Sequence, residues 1–343
     1  MPRYVIHIGP HKTGTTFLQG AFLQLHDTLL THGIAYPKQW LGTRGPGHAG
    51  LAQRLLAGGD DQLKEEFASL VAGPSETILI SSEALALLSD DAVALLKQLV
   101  GNAPVTIVFY VRRWTEVTIS AWQGAMRRGD TIPLLERLHR QQSAPAGSEV
   151  INPALVLDRY ASAFGAHTIR LVSYNSLIDT KTELLDHFAA MFLGITETLD
   201  VDRSRRNTSL GPVDSEVLRA LNLIRMTRDP AQPPIRAGEY AKRRDTLDLT
   251  VVKAAMGRTL VPVRFNETAP IYAEIASNVL RTYGEAFVEP YKHGELYPPH
   301  VAKPQYVREG YIYEPGVLEA LLAAYMLIAK SKRRQKTAAD EDA

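Results

Sequence analysis

The apolar run Tyr4-Val5-Ile6-His7-Ile8 passes directly into Gly9-Pro10-His11-Lys12-Thr13-Gly14-Thr15-Thr16 and then into Phe17-Leu18-Gln19. This is a strand, a loop with two glycines, one lysine and three threonines, and the start of a helix with apolar Phe17, Leu18, Ala21, Phe22 and Leu25 at helical spacing. Such a junction aims backbone N–H groups and the positive end of the helix at one point, which suits a phosphate or sulfate. Lys12 adds a full charge, Thr15 and Thr16 add hydroxyl donors, and Gly14 leaves room for close backbone approach.

The first half of the chain alternates strand and helix in the α/β manner. Further strands are expected at Thr77–Ser81, Val105–Val111 and Thr168–Val172, and the continuous apolar character of residues 106–111 marks a central strand buried on both faces. Helices are expected at Thr15–Leu25, from Asp90 or Asp91 to Leu99, from Asn152-Pro153 to about Phe164, and at Lys181–Leu193. From about Gly211 helices dominate, at Asp214–Thr227, Pro270–Phe287 and Pro315–Lys330, between Pro-rich loops. The expected class is α/β, a central parallel sheet flanked by helices with a helix-rich C-terminal part. Residues 1–210 form its core, 211–330 a helical extension of the same domain, and 331–343 a disordered tail.

Bulk properties narrow the function. The 343 residues are 45% hydrophobic and 22% charged with net charge +1, so the chain is not built as a polyanion binder and no nucleic-acid partner is expected. With no cysteine, thiolate nucleophiles, disulfides and cysteine metal sites are excluded. No leader is expected ahead of the first strand, and the longest apolar stretch, residues 317–329, is short for a bilayer and contains Glu319. A cytoplasmic protein is the expectation. The basic run from Lys330 to Lys336 after an apolar helix suits weak contact with anionic lipid, although a solvated tail is the plainer reading.

Lys12 precedes Gly14 by two residues, whereas the ATP-binding loop GxxxxGK[ST] puts its lysine after the last glycine. A second constellation, Tyr110-Val111-Arg112-Arg113-Trp114 with Ser120 eight residues past Arg112, places an arginine at a strand's carboxyl end, the ligand edge of an α/β sheet. Arginines there also form surface ion pairs, so this constellation alone leaves both readings open. His7, alternating with apolar neighbours, is expected in the core.

Together the two motifs resemble the sulfotransferases that use 3′-phosphoadenosine 5′-phosphosulfate (PAPS), in their bacterial, carbohydrate-type branch. Their 5′-phosphosulfate loop is Pro-Lys-x-Gly-Thr-Thr-x-Leu; Lys12, Gly14, Thr15, Thr16 and Leu18 match it and His11 stands at the proline. Arg112 and Ser120 fit the spacing of the 3′-phosphate motif, with Trp114 where the family usually has proline. The likeness covers about residues 3–210 and implies a P-loop-like sulfotransferase fold.

The resemblance implies a donor site of His11, Lys12, Thr13, Gly14, Thr15, Thr16 and Phe17. Lys12 is catalytic on the bridging oxygen, and Arg112 with Ser120 holds the 3′-phosphate. Arg205 and Arg206 lie in the place of a later loop that closes on the nucleotide. PAPS is the implied donor and 3′-phosphoadenosine 5′-phosphate (PAP) the product, without a metal. Glu83 is the first candidate for general base and His48 the second, since branches of the family use either residue type. Glu83 is equally a helix-start carboxylate favoured by the dipole. The implied acceptor is a glycan, glycolipid or small molecule, walled by residues 37–48, residues 122–128 and the helical second half, with Trp40 and Trp122 as possible sugar platforms. The rivals are a P-loop kinase, which needs Mg²⁺ and a carboxylate at a strand end, and a non-catalytic nucleotide- or glycan-binding protein. The oligomeric state is not legible.

Overall fold

The structure, a computed structural model, describes residues 1–43, 45–202, 210–267, 269–297 and 305–341, of which residues 332–341 are described as backbone. Its described strands are β1 (Arg3–His7), β2 (Ile34–Ala35), β3 (Thr77–Ser81), β4 (Val105–Val111), β5 (Ile169–Ser173), β6 (Leu260–Pro262), β7 (Phe287–Val288) and β8 (Gln305–Val307). Contacts divide the chain into two compact units. The first is residues 1–117, 144–206 and 267–299; the second is residues 118–143, 207–266 and 300–343.

The first unit is built on a six-stranded sheet, ordered β2-β3-β1-β4-β5-β7, in which every pairing is parallel. Helices cover both of its faces, as the near-continuous apolar strands require. Alternate residues serve opposite faces. Tyr4, Ile6, Ile78, Ile80, Ile107, Phe109 and Leu171 pack into one core, whose helical wall includes Leu51, Leu96, Leu157 and Val279. Val5, Leu79, Val108, Tyr110 and Val172 pack into the other, against Phe22, Leu185 and Phe188. The class expected from the sequence is the class found.

Some boundaries differ. The segment expected as helix Lys181–Leu193 is a short α-helix, Leu184–Phe188, continued by a π-turn at Ala189–Leu193. The helix expected at Pro270–Phe287 stops at Tyr283, because the chain then extends to add Val288 opposite Val172 as an edge strand. Residues 267–299 fall in the sheet unit and residues 118–143 in the second. The final helix runs Val317–Glu341, into the stretch expected as a tail.

The second unit is mainly helical, with β6 and β8 paired antiparallel. Val217, Leu221, Tyr240, Val252, Leu321 and Tyr325 form its main core. Arg219 is buried in it and satisfied by Glu216 at 2.6 Å and Glu309 at 2.9 Å. No helix among the described residues is long and apolar enough to cross a membrane.

Candidate functional site

β1 lies between β3 and β4, so the segments that leave these three strands meet at one carboxyl edge. The register aligns His7 with Ser81 on one side and with Val108 on the other. Gly9 to Gly14 thus emerges between Ser82-Glu83 and Arg112.

The loop is held at several points. Gly9 has φ +94°, and its carbonyl accepts the Tyr110 N–H at 2.9 Å. A Cβ there would lie 3.0 Å from Glu83 Cα, so only glycine lets the two segments approach. The Thr13 hydroxyl donates to the Pro10 carbonyl at 2.7 Å, and Thr13 is buried.

Lys12 has φ +72°, a left-handed conformation that costs an L-residue about 1–2 kcal/mol. Arg112 Nη1 donates to the Lys12 carbonyl. A hydrogen bond to a charged group is worth about 1.5–3 kcal/mol net, enough to offset that strain.

Gly14, at φ +78°, begins helix Thr15–Gln24 with no side-chain cap. Phe17 and Leu18 donate their N–H groups to the Gly14 carbonyl at 3.0 and 3.1 Å. The N–H groups of Thr15 and Thr16 precede the helix's own acceptors and remain available to an anion. A Cβ on Gly14 would sit 2.4 Å from Leu184 Cδ2. Thr15 is buried, Thr16 exposed, and Phe17 and Lys12 partly buried.

Glu83 opens the turn after β3 and is brought to the same place. Gln19 Nε2 donates to its Oε2 at 2.8 Å, and His11 Nδ1 lies 3.6 Å from its Oε1. Its side chain is 25% exposed and that of His11 57%, so the carboxylate is fixed yet reachable. Sequence reasoning missed Gln19. Its signal is a polar residue in line with the buried face of an amphipathic helix.

His48 does not join this group as a base. It is fully buried; the Ser81 N–H donates to its Nδ1 at 2.9 Å, which leaves the proton on Nε2 to be donated to the Pro37 carbonyl at 2.9 Å. Burial outweighs that second bond and pushes its pKa down to about 3. With both nitrogens committed to backbone groups, His48 fastens β3 to the segment after β2 and takes no proton from a substrate. The aromatic platforms are corrected too. Trp40 is buried, stacked 4.5 Å from Phe67 and bonded through Nε1 to Glu66, and Trp122 is buried with Nε1 donating to Ile132.

His7 is in the core as expected. Its Nδ1 is 2.8 Å from the Ser81 hydroxyl, and burial pushes its pKa down to about 3. Arg112 Nε donates to Glu116 Oε2 at 3.1 Å, and its guanidinium lies 4.9 Å from the Tyr174 ring centre. Arg113 points elsewhere, buried against Glu267 at 2.5 Å, where Thr115 also donates at 2.7 Å. Ser120 is partly buried in helix Trp114–Arg128 and is counted with the second unit. Arg205 and Arg206 lie outside the described residues. Among the described residues no cluster of three or more His, Asp or Glu could hold a metal ion.

No protein-family model matches the chain, and no curated protein matches its sequence. Among solved structures it is similar to a sulfotransferase from Alicyclobacillus acidocaldarius, with 16% identity and a TM-score of 0.40, over 66% of this chain and 94% of that one.

Proposed function

We propose that the protein transfers a sulfuryl group from PAPS to a hydroxyl or amine of an acceptor, a glycan, glycolipid or small hydroxylated molecule. The observation that carries this reading is the loop itself. Two left-handed residues, Lys12 and Gly14, precede an uncapped helix start, and the Glu83 carboxylate stands beside them. The motif Lys12-Thr13-Gly14-Thr15-Thr16 and its resemblance to a phosphosulfate loop favour sulfate over a simple phosphate.

The chemistry follows from charge. The 5′-phosphate meets the N–H groups of Thr15 and Thr16 and the Thr16 hydroxyl. Glu83 accepts the acceptor's proton as its oxygen bonds to sulfur. The bond from sulfur to the bridging oxygen breaks, and the electron pair leaves with PAP. Lys12 stabilises the negative charge that gathers on that oxygen, where a preorganised donor is worth about 10²–10³ in rate. Gln19 and His11 hold Glu83 at the place where the acceptor arrives.

Thermal unfolding with added ligands tests the reading. PAPS or PAP should raise the melting temperature without Mg²⁺; at a hundred times Kd the stabilisation is about 2.7 kcal/mol. Stabilisation by Mg-ATP alone would replace this reading with a kinase. Binding of PAP without transfer of labelled sulfate to any hydroxylated acceptor would leave a non-catalytic nucleotide-binding protein.

A further inference from the structure

Arg112 is engaged on three sides by the protein itself. Nη1 donates to the Lys12 carbonyl, Nε donates to Glu116 at 3.1 Å, and one face of the guanidinium stacks 4.9 Å from the Tyr174 ring centre. The mount is braced in turn. Asn175 Nδ2 donates to Glu116 Oε1 at 3.0 Å, while Asn175 Oδ1 accepts the Arg113 backbone N–H at 2.8 Å. Tyr174 and Asn175 follow β5 directly, as Arg112 follows β4, and Val111 pairs with Ser173 at the ends of those strands. The guanidinium is therefore in place before any ligand arrives.

An arginine whose task is to clamp a phosphate presents its planar fork bidentately to that phosphate. Here the Nε–H is given to Glu116 and one Nη1 hydrogen to the loop, so the guanidinium is fixed by the protein while three of its five N–H donors are left by these two bonds. We infer that Arg112 is a positioning residue for Lys12, with Glu116, Asn175 and Tyr174 as its mount. By capturing the Lys12 carbonyl it locks the left-handed backbone that aims the lysine at the anion. The consequence for catalysis rests on the sulfuryl-transfer reading; the consequence for the loop does not.

The test has two arms. The first compares crystal structures of the ligand-free wild-type protein, Arg112→Ala and Glu116→Gln. Lys12 should leave the left-handed region in Arg112→Ala and shift or become heterogeneous in Glu116→Gln. A Lys12 that keeps its positive φ in both variants overturns the inference whatever the protein's activity. Glu116→Gln keeps the arm decisive if Arg112→Ala does not fold.

The second arm measures kcat and KM with PAPS and with adenosine 5′-phosphosulfate, which lacks the 3′-phosphate. A positioning role predicts that Arg112→Ala lowers kcat by a similar factor with both donors, up to about 10²-fold for a misplacement near 1 Å. A loss confined to KM for PAPS makes Arg112 a 3′-phosphate ligand only and overturns the inference. If neither donor is used, the function proposed above fails, while the first arm still decides the role of Arg112.

Discussion

Lowering the pH from about 7.5 to about 5 should cost this protein about 4 kcal/mol of stability from two histidines alone. His7 and His48 are both fully buried, and burial holds each folded-state pKa down at about 3, against an ordinary value of 6.5. Between those limits the unfolded chain binds more protons than the folded one, so stability rises with pH and is complete above 6.5. It is lost progressively as pH falls below that value. At about pH 5 each histidine stands about 1.5 units below its unfolded pKa, and at about 1.4 kcal/mol per unit this is about 2 kcal/mol each. Any folded value below about 4 gives the same loss at that pH, so the prediction does not depend on the size of the shift. Urea unfolding at the two pH values, followed by the fluorescence of the buried tryptophans Trp40, Trp114 and Trp122, measures it. Carboxylates add their own slope, so the decisive comparison is with His48→Gln, which can still accept from Ser81 and donate to Pro37 without titrating. That variant should lose about 2 kcal/mol less than wild type on acidification. An identical loss in both proteins would show that His48 protonates freely in the folded state, and its role as a backbone fastener would fall with it.

Lys12→Ala should lower sulfate transfer by about 10²–10³ while changing stability by no more than about 0.5 kcal/mol; a variant with full kcat removes Lys12 from the chemistry. Gly14→Ala puts a Cβ where Leu184 now sits and forces a left-handed alanine, so calorimetry should show a loss of about 2–3 kcal/mol together with weakened PAP binding. Glu83→Gln should cut kcat by about 10²–10⁴ and leave PAP affinity within about twofold, as isothermal titration would show; unimpaired turnover would assign the proton to another group.

The strand–loop–helix junction, the β3 and β4 boundaries and the parallel class were legible because each is written locally. Apolar runs end at Gly9, at Ser81-Ser82 and at Arg112, and no distant contact is needed to place those ends. What escaped is set by residues far apart in the chain. Nothing near Arg113 announces Glu267, its partner 154 residues later. Nothing in Gly45-Pro46-Gly47-His48 shows that the imidazole will face the Ser81 N–H and the Pro37 carbonyl. The edge strand Phe287–Val288 is two residues long, too short for alternation to mark, and its pairing with β5 moved residues 267–299 into the sheet unit. The π-turn at Ala189–Leu193 carries apolar residues that an ordinary helix would also accept.

The strand order accounts for how one loop meets both a carboxylate and an arginine. With β1 between β3 and β4, the carboxylate after β3 and the arginine after β4 reach the loop from opposite sides. Arg112 takes the carbonyl at Lys12, and Glu83 sits beside His11, one residue earlier. The surroundings of Glu83 also bear on the kinase alternative. A carboxylate that positions Mg²⁺ for phosphoryl transfer presents its oxygens to the ion and its waters. One oxygen of Glu83 already accepts an amide N–H from Gln19, and the other faces the His11 imidazole 3.6 Å away. A carboxylate already engaged by Gln19 is a poorer ligand for a divalent ion than one with both oxygens open to it. Adding Mg²⁺ should therefore leave the affinity for PAP unchanged, and a large Mg²⁺-dependent gain would move Glu83 from base to metal ligand.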